Sequence, residues 1–364
     1  MKNTFGTSVA LTLFGESHGE MSGAVLDGLA PGIAVEEAAI DAALQKRRPQ
    51  GAVSTARREQ DPFRIVSGFF NGKTTGTPLC ILIPNENKKS RDYEATRFLA
   101  RPGHADYTAN EKYHGFQDYR GGGHFSGRIT AALVAAGAIL QSALREKGIR
   151  IGSHVKALHG IADREFSDIE ADLDRLAPMP FPVLDAAAAE KMQQAILTAK
   201  AECDSLGGIL ECIVTGVPAG VGEPWFDSVE SLLSHALFSV GGVKGIEFGT
   251  GFDMANRKGS EVNDAFRMEN GKVITATNRN GGINGGITNG MPILFRLAVK
   301  PTPSIAKQQQ TVDFSAMENA DIAIEGRHDP CIVHRAAAVA EAVTALVIAD
   351  LLAQRFGTDW LKGA

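Results

Sequence analysis

The chain has 364 residues, 44% hydrophobic and 22% charged, a balance that suits a globular protein with a large core and excludes disordered, collagenous and low-complexity classes. Its formal net charge is −5, so it lacks the basic footprint of a nucleic-acid binder, and any anionic ligand must be drawn in by a local gathering of cations. The four cysteines, Cys80, Cys203, Cys212 and Cys331, show no CxxC or other metal-ligand spacing, which reads as buried reduced thiols and no metal site.

In chain order, strands are expected at about 7–14 and 22–29, a helix over 36–48 and a strand at 79–84, followed by a helix over 127–147 and a strand at 151–158. A helix over 186–203, a strand at 207–217, a helix over 228–239, a strand at 291–299 and a helix over 335–355 complete the series. The longest apolar helical stretch in this reading, Ala131 to Leu144, is shorter than the roughly 20 residues that cross a bilayer. The N-terminal run MKNTFGTSVALTLFGESHG breaks into charge and glycine and has no secretory pattern. The expectation is a cytoplasmic protein with no membrane or nucleic-acid partner. No linker-like run divides the chain, and two patterns recur: Ser22 to Gly28 with Pro31 and Gly32 is echoed by Gly207 to Glu211 with Pro218 and Gly220, and Thr75 to Leu79 by Asn289 to Ile293. Alanine-rich helices after Arg128 and Arg335 extend the parallel. The expected architecture is α+β, one domain from 1 to 364 built from pseudo-repeat halves of about 1–150 and 200–355, with a site where the halves meet.

Chemistry concentrates on loops. Gly15-Glu16-Ser17-His18-Gly19 presents a serine and a histidine at a strand end, and Arg101-Pro102-Gly103-His104-Ala105-Asp106 presents a second histidine. Imidazoles on loops suit proton transfer near neutral pH. Arg47-Arg48, Arg57-Arg58, Arg101, Arg120, Arg128 and Arg327 all stand in loops or at helix ends, and guanidinium groups grip phosphate and carboxylate in bidentate fashion. Two nucleotide motifs fail. Gly68 to Thr74 has three residues between its glycines where a P-loop needs four, and Gly281 to Gly290 lacks the GxGxxG spacing of a Rossmann turn.

Taken in order, Gly15 to Gly19, Arg47-Arg48-Pro49, Thr74 to Pro78, Arg101 to Asp106, Val243 to Gly249, the doubled Gly-Gly-Ile, Lys300-Pro301 and Arg327-His328-Asp329-Pro330 with Ala340-Glu341-Ala342 resemble the chorismate synthase family from first strand to last helix. The resemblance implies that family's βαβ sandwich with an internal pseudo-twofold repeat, usually as a homotetramer. It implies an anti-1,4-elimination of phosphate from 5-enolpyruvylshikimate 3-phosphate that needs reduced FMN yet is redox-neutral overall. By the same resemblance His18 protonates the departing phosphate, His104 acts at the reduced flavin, and Asp329 helps accept a proton through it, with Ser17 and Ser126 in the relay. Arg48, Arg57, Arg128 and Arg327 are the implied substrate ligands, and Asn280, Gly281, Lys300 and Ser304 join His104 and Ser126 as implied flavin contacts. No segment remains for a flavin reductase, so reduced FMN comes from a separate protein or from reduction in situ.

The central signature departs from the family's GGGRSSARET: the chain reads Gly121-Gly122-Gly123-His124-Phe125-Ser126-Gly127-Arg128-Ile129-Thr130. This keeps open two other expectations, a different flavin- or phosphate-binding enzyme such as an oxidoreductase, and a divergent paralogue with altered or lost activity.

Overall fold

A computed structural model of the chain describes residues 3–55, 60–86, 94, 96–324 and 328–362. The first half begins with β1 (Thr4–Phe5), β2 (Ala10–Gly15) and β3 (Met21–Asp27), runs through α1 (Glu37–Arg47), and returns as β4 (Arg64–Ser67), the short ribbon β5–β6 (Phe69–Phe70 and Lys73–Thr74) and β7 (Leu79–Pro84). In β7 every second residue is buried, Leu79, Ile81 and Ile83, the period expected of a strand with one face on a core. Two helices follow, α2 (Asp106–Tyr113) and α3 (Thr130–Glu146).

The second half contains β8 (Arg150–Leu158), β9 (Ile161–Ala162), α4 (Ile169–Leu176), α5 (Ala186–Ala201), β10 (Gly208–Thr215), α6 (Val229–Phe238) and β11 (Val243–Phe248). After the short helix α7 (Gly259–Val262) come the ribbons β12–β13 (Phe266–Glu269 and Lys272–Thr275) and β14–β15 (Ile283–Asn284 and Ile287–Thr288). The chain then enters β16 (Ile293–Val299), a last ribbon β17–β18 (Gln309–Asp313 and Glu318–Ile322) and α8 (Val333–Phe356).

Two five-stranded antiparallel sheets result. One runs β1-β2-β3-β7-β4 and the other β9-β8-β10-β16-β11. The helices α3 and α8 touch both sheets and each other, with α1 beside both of them and α6 against α8 and β11. The architecture is therefore a βαβ sandwich, α+β in class, with the helices as its filling.

That position explains the composition of α8. Nearly every residue from Val333 to Ala353 is buried, and a helix enclosed on all sides is apolar all round rather than amphipathic. The segments 127–146 and 333–356 are long and apolar enough to span a bilayer, which corrects the expectation that the longest apolar helix falls short; both are mostly buried between the sheets and belong to the core. The two helices cross at Gly137, where a Cβ would lie 2.6 Å from the Cα of Ala342. Only a missing side chain permits that approach.

All five expected helices and all six expected strands form, within a few residues at their ends. Among the elements absent from the sequence reading, α4 is a short amphipathic helix that buries Leu173 and Leu176, and two edge strands lack a clean period. β4 is mostly exposed, and β11 carries a register shift between Val243 and Gly245. The cysteines divide: Cys212 and Cys331 are buried, Cys80 is half-buried, and Cys203, in the turn just after α5, is exposed.

A buried ionic cluster pins the second sheet. His154 on β8 is fully enclosed, with Nδ1 2.7 Å from Asp163 Oδ2 and Nε2 3.1 Å from Glu211 Oε1 on β10. Arg296 on β16 lies 4.0 Å from Glu211 and 3.0 Å from Glu247. Burial alone would drive the proton from His154, but the hydrogen bonds and charges of Asp163 and Glu211 prevail and raise its pKa above the usual histidine value.

Two outcomes are expected. Gly137→Val should lower stability in chemical denaturation by about 1–3 kcal/mol through overpacking of the helix crossing. Because the folded pKa of His154 is raised, its stabilising contribution is complete below the unfolded value near 6.5 and is lost as pH climbs through the folded value. The denaturation midpoint should therefore fall with rising pH, and His154→Asn should remove that dependence at a cost of roughly 3–5 kcal/mol.

Candidate active site

The first sheet delivers His18. β2 ends at Gly15, whose φ is +105°, and a Cβ there would meet the Met21 carbonyl at 2.6 Å, so the glycine allows the chain to turn back tightly into β3. The turn is held from several directions. Asn85 Nδ2 donates to the Glu16 and Gly19 carbonyls at 2.9 and 3.1 Å, His124 Nδ1 donates to the Gly15 carbonyl at 2.7 Å, and the Ser17 amide donates to the Gly123 carbonyl at 3.1 Å. Ser17 and His18 are buried as a consequence. Ser17 Oγ donates to the Arg120 carbonyl at 3.1 Å and lies 3.2 Å from His18 Nδ1. A hydroxyl has one proton to give. With that proton on Arg120, Ser17 accepts from His18 Nδ1–H.

The triple glycine joins His18 to His104. Gly121 and Gly122 have φ of +62° and +89°, and each faces one imidazole: a Cβ on Gly121 would lie 2.5 Å from His18 Nδ1, and one on Gly122 would lie 3.2 and 3.3 Å from His104 Cε1 and Nε2. Two residues 86 positions apart in the chain thus flank a single stretch of bare backbone. His104 Nδ1 lies 2.8 Å from Asp106 Oδ1, and Asp106 in turn grips Arg101 through Nε and Nη2, both at 2.7 Å. Arg101 Nη1 approaches the buried Ser304 Oγ at 3.5 Å, and Lys300 Nζ donates to the Gly103 carbonyl. Burial, then the charge of Lys244, lowers the Lys300 pKa.

A second cluster lies beyond Asn85. Asp61, 1% exposed, receives Arg128 Nη1, stands 3.3 Å from Arg47 Nη1 and 3.5 Å from Arg48 Nε. Burial would raise its pKa, but Arg47, Arg128 and Arg48 outweigh that and hold it below the usual value. Arg128 spends its other nitrogens on Asn85 Oδ1 and the Pro84 carbonyl, each at 2.9 Å, so its guanidinium also braces the loop that carries His18. Arg48 ends α1 beside it and pairs with Asp41 at 3.3 Å. Arg335 Nε donates to the Arg47 carbonyl at 2.7 Å, and its Nη1 pairs with Asp329, whose other oxygen accepts from the Thr55 amide at 2.9 Å. Asp329 is thereby tied to the arginine cluster.

Of the residues expected from sequence, His18, Ser17, His104, Lys300 and Ser304 fall in the first cluster, Arg48, Arg128 and Asp329 in the second, and Asn85 links the two. Ser126 stands between them, its Oγ accepting from the Arg128 amide at 3.3 Å. Arg57 and Arg327 lie outside the described residues. Asn280 and Gly281 sit at the far edge of the second sheet: the Asn280 amide donates to Asp264 at 2.8 Å, and Gly281 packs on Gly249 and Leu294. None of their described contacts reaches either histidine.

The sequence reading passed over Asp61, Asn85, Asp106 and Arg335. Only Asp106 had a local signal, an acid two residues after a loop histidine. The altered signature residues have local roles: His124 caps β2 through Gly15, Ile129 is buried at the start of α3, and Phe125, 44% exposed, meets the Tyr113 ring edge-on at 6.2 Å.

Comparison with known proteins shows the family. The family model described as chorismate synthase matches residues 9–353. Chorismate synthase of Methanosarcina mazei is 49% identical over 349 residues, spanning 96% of this chain and 95% of its own. That of Lachnoclostridium phytofermentans is 47% identical over 96% and 95%, and that of Aeropyrum pernix 46% over 97% and 93%. A crystal structure of chorismate synthase superimposes with a TM-score of 0.72 at 29% identity, covering 97% of this chain and 94% of its own. With both histidines on one glycine backbone and likeness along nearly its whole length, the chain belongs to the chorismate synthase family.

Proposed function

We propose that the His18–His104 centre carries out the lyase reaction of this family, the anti-1,4-elimination of phosphate from 5-enolpyruvylshikimate 3-phosphate to chorismate. The C3–O bond breaks, the C6–H bond is lost, a second ring double bond forms, and there is no net change of oxidation state. The observation that carries the reading is the pair of imidazoles against Gly121 and Gly122, which supports an acid for the departing phosphate beside an acid–base group for the flavin.

His18 acts in its imidazolium form: with Nδ1–H held by Ser17, it protonates the departing phosphate from Nε2–H and is left as the neutral ring. The chain's cations hold the substrate's anionic groups, with Arg48 and Arg128 as described candidates and Arg57 and Arg327 as the others. Arg48 and Arg128 already face Asp61, so these two are pre-oriented and lose little side-chain entropy on binding. Asp329, anchored by Thr55 and Arg335, is assigned as proton acceptor, with Ser126 in the relay.

The family requires reduced flavin, and we assign FMN. Reduced FMN, when bound, supplies electron density transiently to the substrate and recovers it within the same turnover. The residues present suit it: His104 stands against the bare Gly122 backbone as an acid–base group for the ring, and Lys300, depressed by burial and by Lys244, gains from a phosphate counter-charge. Asn280 and Gly281 remain proposed flavin contacts that would act from the edge of the second sheet.

The rest of the reading is cytoplasmic action, reduced FMN from a separate reductase or reduction in situ, and a homotetramer. Exposed Trp225, Phe226 and Phe252 support association, since large apolar side chains in water favour a covering partner. The matching order of four strands in each sheet, β2-β3-β7-β4 and β8-β10-β16-β11, supports an internal repeat within one domain.

Anaerobic incubation with dithionite-reduced FMN and the phosphorylated substrate, followed by phosphate release and chorismate absorbance, tests the activity, with oxidised FMN as control. Replacing His18 or His104 by alanine should lower turnover about 10²–10⁴-fold; near-normal turnover in both, with FMN still bound, contradicts the roles. Asp61→Asn leaves three buried or half-buried guanidinium groups short of a counter-charge, so stability should drop by roughly 3–5 kcal/mol and KM should rise more than kcat falls.

A further inference from the structure

We propose that Asp106 is a positioning residue for His104: one carboxylate oxygen holds the ring as its Nδ1–H tautomer and so directs Nε2 to the glycine backbone of the reaction centre. The inference deepens the reading of that centre and rests on it.

The geometry leaves little alternative. Nδ1 is 2.8 Å from Asp106 Oδ1 and 3.0 Å from Arg101 Nη2, so it either donates to the carboxylate or accepts from the guanidinium. An ionised carboxylate has only lone pairs to offer. Were Nδ1 unprotonated, its own lone pair would face that oxygen at hydrogen-bond distance. Arg101 Nη2 meanwhile has a better acceptor in the same Oδ1, at 2.7 Å. Donation from Nδ1–H to Asp106 satisfies every group at once.

The carboxylate is kept ionised for this task. Burial would raise its pKa, but hydrogen bonds and charge from Arg101 and His104 hold it far below the usual aspartate value. Its second oxygen accepts from the Arg101 amide at 3.0 Å and from Arg101 Nε, which fixes the carboxylate plane, and the His104 amide donates to the Arg101 carbonyl at 3.0 Å. Asp106 is also the first residue of α2, where a negative charge is favoured by the helix dipole. Backbone, guanidinium and helix therefore orient one oxygen, and that oxygen orients the ring. His18 differs: its Nδ1 faces the neutral Ser17 hydroxyl, so the two histidines stand against one glycine backbone with different electrostatic backing.

The test is Asp106→Asn, read in two ways. In the first, protein with 15N-labelled histidine rings is examined by NMR without substrate, and the His104 signals among the nine histidines are identified by their loss in His104→Gln. The wild type should show Nδ1–H, and the amide variant should shift population to Nε2–H. In the second, anaerobic turnover with reduced FMN should show kcat reduced by about 10²-fold or more, as when the carboxylate behind a catalytic imidazole becomes an amide, with KM changed less than about twofold, and Asp106→Glu should recover part of kcat. Unchanged His104 ring signals, or a kcat within a few-fold of wild type, overturn the proposal. Should Asp106→Asn not fold, as judged by circular dichroism, Asp106→Ser is read in the same spectra with the same criteria. Because the ring spectrum needs no substrate, a wild-type protein that fails to turn over refutes the elimination reading while the tautomer still decides the role of Asp106.

Discussion

A Cβ on Gly121 would lie 2.5 Å from His18 Nδ1, and one on Gly122 would lie 3.2 Å from His104; the rest of the centre depends on that bare backbone. Both glycines have positive φ, a conformation other residues adopt only at a cost. The two constraints coincide, since the turn that exposes the backbone also removes the side chains that would collide with the rings. Everything else in the site locks one of these partners in place. Asn85, His124 and the Gly123 carbonyl hold the His18 loop, and Arg101 with Asp106 holds His104.

The electrostatic pattern follows from the same need. The chain as a whole is acidic, yet guanidinium groups from α1, the Arg101 loop, the glycine turn and α8 gather in two clusters linked through Asn85, each beside an aspartate. Buried or half-buried cations are tolerated only when paired. Asp61 shows how far this goes: a nearly inaccessible carboxylate serves Arg47, Arg48 and Arg128 together, and through Asn85 the same network reaches the His18 turn. Substrate recognition and loop support are thus one connected system, and a change in either propagates to the other.

The sandwich supplies the rigidity. α3 and α8 are enclosed between two sheets, and their close crossing at Gly137 and Ala342 brings the start of α3, with Ser126 and Arg128 just before it, near the start of α8, where Arg335 reaches across to the Arg47 carbonyl. The His154 cluster does comparable work on the second sheet by tying β8 to β10. A site assembled from segments so far apart in the chain requires such a filling, because no local element could hold it.

Much was legible in the chain itself. Long helices and core strands carry their own periodicity, so the five helices and six strands are where apolar spacing puts them, and the glycine-flanked histidines and the family signatures point to the chemistry. Short edge strands such as β4 and β11 carry no such period, being exposed or interrupted by glycine. α8 was legible as a helix, but its enclosure came from the two sheets. Asp61 and Asn85 gave no local signal, since a buried aspartate earns its meaning from arginines on other elements, and an asparagine from the carbonyls it happens to reach. The sequence by itself determined the elements, the reactive side chains and the kinship, because these depend on near neighbours and residue type. Only the tertiary structure decided which carboxylate faces which guanidinium and which ring nitrogen faces the centre, because hydrogen bonds between distant segments are set by packing in three dimensions.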